Sequence, residues 1–172
     1  MIRRSIGAAA AGAALLSSSL AFGHVSLEGS EAPAGSYYKA VIRVPHGCDG
    51  SPTIRIRIRI PEGVVDVKPQ PKPGWEVTTV TGKLAEPYTN HGRTITEGVR
   101  EVSWSGGRLD DAHYDEFVMR VKLPNRPGEV LYFPTVQECE RGVHRWIEIP
   151  EAGRNADDYR EPAPALRLVP KR

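Results

Sequence analysis

The chain has 172 residues, 26% of them charged, a formal net charge of +2 and two cysteines. Its hydrophobic fraction of 40% fits an ordinary folded domain and argues against a disordered chain, a multi-span membrane protein or a disulfide-dense miniprotein. Arg3 and Arg4 are the only charged side chains before His24, so beyond that point Lys and Arg balance Asp and Glu. A balanced chain has no basic footprint for nucleic acid or an anionic membrane.

Those two arginines precede an alanine-rich apolar run over residues 6–16, then Ser17-Ser18-Ser19 and Leu20-Ala21-Phe22-Gly23. Charge, apolar core and small residues at the cut are the order of a secretory signal peptide. The run falls short of the about 20 apolar residues a membrane helix needs. The expectation is a signal peptide over residues 1–23, cleavage after Gly23, and a mature domain over residues 24–172. That domain has no membrane anchor and is periplasmic or secreted. About 150 residues suit one domain with a sizeable core.

Short strand-like runs then alternate with Gly/Pro turns. Residues 37–44 predict a strand with Tyr38, Ala40, Ile42 and Val44 on one face. Residues 53–60 alternate strictly, with Ile54, Ile56, Ile58 and Ile60 facing in and Arg55, Arg57 and Arg59 facing out. Short strands follow at 64–67 and 75–80, joined by a proline-rich connection. A polar segment spans 83–93, with strands expected at 94–96 and 100–104 beyond it. Asp110, Asp111 and Ala112 suit a brief helical turn. Residues 114–123 form a strand burying Phe117, Met119 and Val121. Residues 130–136 and 143–149 suggest a late pair, and 165–169 a final edge strand. No amphipathic helix of normal length emerges. The pattern predicts an all-β fold, a greek-key immunoglobulin-like or cupredoxin-like β-sandwich.

Two cysteines in an exported chain ordinarily pair; the alternative, a thiolate metal site joined by His46 and His144, lacks the C-x-x-C spacing such sites use. A Cys48–Cys139 bridge would close a loop of about 90 residues, for which the chain-entropy model gives about 4–5 kcal/mol. The arginine stripe is most simply a solvated strand face. Trp75 and Trp104 suit the core, and His91 and His113 suit solvent. His46 and His144 would cluster beside the disulfide, where a second, weak metal site is the less favoured reading. No nucleophile elbow, zincin, P-loop or dinucleotide motif occurs. Asp115 and Glu116, adjacent on a strand, face opposite ways and make a poor acid–base pair.

Cleavage after Gly23 makes His24 the first residue. An α-amine near pH 8 and an imidazole near pH 6.5 both lose their protons under mild conditions. Together they can chelate one ion, and nitrogen donors suit Cu(II).

The segment from His24-Val25-Ser26 through Glu31-Ala32-Pro33-Ala34-Gly35-Ser36 resembles the start of the YcnI-like domain family. Further matches follow in family order: Arg43-Val44-Pro45-His46-Gly47-Cys48, Lys68-Pro69-Gln70-Pro71-Lys72-Pro73-Gly74-Trp75, Asp115-Glu116-Phe117, Gln137-Glu138-Cys139-Glu140 and His144-Arg145-Trp146. The resemblance implies an exported β-sandwich that binds copper through its N-terminal histidine. It is not expected to be an enzyme, and its partners would be the copper ion and other periplasmic copper-handling proteins. His24 matches the ligand histidine, Glu31 the family's early acid, and Trp146 a late tryptophan near the metal. Glu28, Glu138 and Glu148 are rival carboxylates. An indole N–H offers no lone pair, so Trp146 would shield the ion, orient the carboxylate or supply a cation–π contact. Two other functions are carried alongside. One is a copper-dependent oxidase or monooxygenase, which needs a second imidazole from His46, His91, His113 or His144. The other is a metal-free cell-envelope interaction module.

Overall fold

The computed structural model describes residues 23–171. The expected signal peptide therefore lies outside the described residues except for Gly23, as does the terminal Arg172.

Two antiparallel sheets carry most of the chain. The first has the order β1 (Ser26–Leu27), β3 (Tyr37–Val44), β8 (Asp115–Lys122), β5 (Val65–Pro69). The second has the order β11 (Val143–Trp146), β10 (Thr135–Cys139), β4 (Thr53–Arg59), β7 (Arg93–Leu109), β6 (Glu76–Asn90). A smaller sheet places β12 (Ala165–Val169) between β2 (Glu31–Pro33) and β9 (Val130–Tyr132), parallel to the first and antiparallel to the second.

The core follows from period-2 patterning. Register sets Tyr38 opposite Val121, Ala40 opposite Met119 and Ile42 opposite Phe117. Paired residues share a face, so β3 and β8 bury their apolar sets on the same side. Ile56 and Ile58 of β4, with Val102 and Trp104 of β7, close the core from the other sheet. Each large side chain there contributes about 1.5–3 kcal/mol by burial. Phe117 stands edge-on to Trp104 and Trp75, at 5.6 and 5.0 Å between ring centres. The arginine stripe is solvated as expected: Arg57 reaches Glu138 at 2.9 Å and Glu101 at 3.9 Å. Asp115 turns to Lys72 and Glu116 to Arg43, confirming that the adjacent acids diverge.

The structure corrects several strand expectations. Residues 83–93 are not a polar connection: β6 and β7 form one long hairpin, turning at His91 and Gly92 with φ of 48° and 73°. Most of its outer half is exposed, so neither face needs the apolar alternation that reveals a strand. At its other end β4 bulges between Thr53 and Arg55. Thr53 is therefore buried and Ile54 only half-buried. The run 130–136 is split at Phe133-Pro134, its first part pairing with β12 and its second with β4 and β11. β12 is the middle strand of its sheet rather than an edge, because β2 adds to it in parallel. Asp110 accepts from the His113 N–H in a plain turn. The regular helix among the described residues is one 3-10 turn, Ala156–Asp158.

Candidate metal centre

One end of the sandwich gathers the residues of interest. The β1–β3 register pairs Ser26 with Arg43, so the chain just before β1 runs beside the extension of β3. Gly23 lies flat on Pro45; an added Cβ would come within 3.1 Å of two proline carbons. Beyond Pro45, His46 directs Nδ1 at the Gly47 carbonyl, 2.6 Å away, and Nε2 at the Gly23 carbonyl, 3.0 Å away.

The loop holding His46 is fixed twice. Cys48 and Ser51 exchange backbone hydrogen bonds of 2.8 and 2.9 Å across Asp49-Gly50, both at positive φ (49° and 81°). That is the geometry an Asp-Gly pair favours in a tight hairpin turn. Cys48 is also disulfide-bonded to Cys139 of β10, 91 residues away with 6.1 Å between Cα atoms. The bridge expected from the cysteine count is present.

The opposite sheet supplies the rest. β10 and β11 pair Gln137 with His144 and Thr135 with Trp146. The Trp146 ring lies 5.7 Å from His24 and 5.2 Å from His144, centre to centre, and His46 and His144 stand edge-on at 6.3 Å. Three of the five histidines thus converge. His91 instead stacks on Tyr37 at 6.5 Å, and His113 is exposed.

Gln137 joins the two sides. It is fully buried, donates Nε2–H to the His46 carbonyl (2.7 Å) and to Thr53 Oγ1 (2.8 Å), and accepts the Trp146 Nε1–H at 3.0 Å. The indole N–H is committed inward, so Trp146 meets His24 through ring contact rather than through that donor. His144 shares an Nδ1 hydrogen bond with Glu161 at 2.7 Å, whose second oxygen accepts the Arg145 N–H at 2.8 Å. Burial works to raise the Glu161 carboxyl. The hydrogen bonds from His144 and Arg145, with the charges of His144 and Arg160, outweigh it and hold the group below the usual carboxylate range.

Glu31 enters β2 opposite Arg167, in a different sheet from β1. Among the described residues no hydrogen bond, ion pair or ring contact joins it to His24 or Trp146. Of the rival carboxylates, Glu28 pairs with Arg43, Glu138 with Arg57, and Glu148 accepts the Glu161 N–H. Among the described residues no three His, Cys, Asp or Glu side chains stand ready-grouped for a metal. The His24 backbone nitrogen is here an amide bonded to Gly23 and offers no lone pair; only cleavage before His24 would make it a metal donor. Sequence patterning missed Gln137 and Glu161. Gln137 lies just past the strand expected at 130–136 and entered only as part of a matched motif, and Glu161 lies in a loop without a periodic signal.

A family model described as "Domain of unknown function (DUF1775)" matches residues 24–168. The chain belongs to this family. DUF1775 is the family that includes YcnI-like domains, so the resemblance drawn from the motifs holds. The match starts at His24. Among solved structures, an uncharacterized protein from Nocardia farcinica, whose crystal structure is described as revealing an immunoglobulin-like fold, is 24% identical. It aligns over 85% of this chain and 98% of its own, with a TM-score of 0.63. That likeness establishes the immunoglobulin-like β-sandwich for this DUF1775 chain. No curated protein matches it.

Proposed function

We propose that the mature DUF1775 protein is an exported copper-binding protein, a chaperone or store, that takes Cu(II) through the amine and imidazole of His24. The observation that carries this reading is the place of His24. It opens the family match and sets its ring against Trp146, at the end of the sandwich where His46 and His144 also gather. The disulfide supports an oxidising compartment outside the cytosol. Cu(II) leads the divalent affinity order for nitrogen donors of this kind.

Within this reading the chain's residues have distinct tasks. The His24 amine and imidazole close a chelate. Trp146 covers one side of that ring and keeps bulk water from it. The Gln137 hydrogen bonds hold Trp146 and the His46 loop in place. A site open at the chain terminus suits handing copper on to another periplasmic copper-handling protein. Glu31 keeps its role as the family's expected carboxylate without a geometric link in the uncleaved chain, so Glu31→Gln is a separate measurement.

The test is N-terminal sequencing of exported protein, then Cu(II) titration of the chain beginning at His24. One equivalent should bind. His24→Ala should abolish binding, and so should one extra Met before His24, which displaces the amine. Titrations unchanged in both variants overturn the reading.

A further inference from the structure

Beyond Gly23 the basic and acidic side chains balance, yet the two large sheets share them unequally. On the outer face of the second sheet, carboxylates neutralise the arginine stripe: Glu138 meets Arg55 and Arg57, and Glu101 meets Arg57. The outer face of the first sheet is different. Register sets Lys39 of β3 directly opposite Arg120 of β8, and Arg120 directly opposite Lys68 of β5. Three exposed cations thus stand side by side across three neighbouring strands. Among the described residues no carboxylate pairs with any of them. The acids near this face are engaged elsewhere. Glu28 and Glu116 go to Arg43 at 3.1 and 3.6 Å, and Asp66 accepts the Tyr37 hydroxyl at 3.3 Å.

Like charges directly opposite each other destabilise a sheet, so this row weakens the fold until an anion covers it. The row is also partly fixed in place. The Arg120 guanidinium lies 3.8 Å from the centre of the Tyr37 ring, and the Lys122 ammonium 4.7 Å. Tyr37 opens β3 and His46 follows its other end, so the row lies toward the end of the strand away from the candidate metal centre.

The surroundings of the row select its partner. Arg120 covers the face of Tyr37, which leaves no open aromatic ring there for the bases of single-stranded nucleic acid. Among the described residues the other exposed large apolar side chains, Val80, Tyr114, Val143, Ile147 and Ile149, lie outside this sheet. Nothing beside the row would therefore insert into a bilayer. Adjacent strands stand about 4.8 Å apart, which sets the interval along the row. Carboxylates on one face of an extended peptide recur at about 6.7 Å, and the phosphates of a polyphosphate chain stand closer together than the strands. A polyuronate carries one carboxylate per sugar ring, an interval close to that of the row.

We propose that the outer face of the first sheet binds an acidic polysaccharide, with Lys39, Arg120 and Lys68 meeting carboxylates of successive uronic acid rings. The Arg120 fork takes its carboxylate through two parallel hydrogen bonds, and the lysines act as point charges. This site is separate from the copper reading and does not depend on it.

The test is a chemical-shift titration of 15N-labelled, metal-free protein beginning at His24 with a galacturonic acid hexamer at low ionic strength. Shifts should concentrate around Lys39, Lys68 and Arg120, and binding should weaken steeply as salt is added. The combined variant Lys39→Gln, Lys68→Gln and Arg120→Gln should bind about tenfold more weakly. Its urea midpoint at low salt should hold or rise, because the like-charge contacts are gone. Lys39→Gln alone, at an exposed position, should weaken binding about threefold and serves if the combined variant misfolds. Arg55→Gln, Arg57→Gln and Arg59→Gln together remove the same charge from the other sheet and should leave binding unchanged. A wild type that does not bind the hexamer overturns the proposal, and so does a row variant that binds like wild type. Equal loss in the charge-matched control overturns it too, as does equal binding of the fully methyl-esterified hexamer. Preference for polyphosphate, or for vesicles of anionic phospholipid, over the hexamer assigns the row to another partner and overturns it as well.

Discussion

Gln137 makes three side-chain hydrogen bonds while fully buried. Gln137→Leu keeps the bulk but strands the Trp146 N–H, the His46 carbonyl and the Thr53 hydroxyl. Buried groups left unpaired cost about 1–3 kcal/mol each, partly relieved by relaxation. We expect a loss of about 2–4 kcal/mol by urea denaturation, with a change in near-ultraviolet circular dichroism from Trp146. Glu161 makes a pH prediction. Its carboxyl lies below the ordinary value of 4.5 in the folded chain. The unfolded chain therefore takes up this proton first as pH falls. The stabilisation is complete above pH 4.5 and disappears as pH drops through the lower folded value. In metal-free protein, Glu161→Gln should lower the urea midpoint at pH 7, and the gap from wild type should narrow below pH 4.5. A gap that stays constant down to pH 3 contradicts this. Neither residue was readable in advance, because a hydrogen-bonding hub is defined by partners that are distant in sequence. Gln137 and His46 are 91 residues apart.

At the level of elements, sequence legibility tracked burial. β3, β4 and β8 each bury one face, and the alternation of apolar residues revealed them almost to the residue. The outer half of the β6–β7 hairpin buries little and was read as a polar connection. β12 was recognised as a strand, but its central position depends on β2, which is only three residues long and too short to show a period. The His46 loop was legible as a loop, and its consequence depends on Gly47. A Cβ there would collide with the Ser51 carbonyl and press on Asp111. Gly47→Ala should open the Cys48–Ser51 turn, costing about 1–3 kcal/mol as overpacking does. The urea midpoint should fall accordingly, and an unchanged midpoint would show that the turn absorbs the added methyl group.

At the scale of the whole molecule, the loop after β3 is held to the second sheet at the candidate-site end by one covalent tie and one buried amide. The disulfide spans 91 residues, and its loss should cost about 4–5 kcal/mol on the chain-entropy account. Paired Cys48→Ser and Cys139→Ser substitutions should lower the denaturation midpoint accordingly. Midpoints equal to wild type would mean that Gln137 and the sheet contacts hold this end without the bridge. The candidate site was legible in part. His24 and Trp146 came from motifs, and the geometry brings their rings together. Glu31 came from the same source, and the sheet division leaves it without contact to either.

The Cys48–Cys139 bond straps the turn that follows β3 to β10, across 91 residues of chain. A polypeptide made under reducing conditions would reach its folded shape with that strap unfastened. Oxidation would then lock one corner of a sandwich already assembled, so the grip of this corner would be decided by the redox surroundings rather than by the sheets.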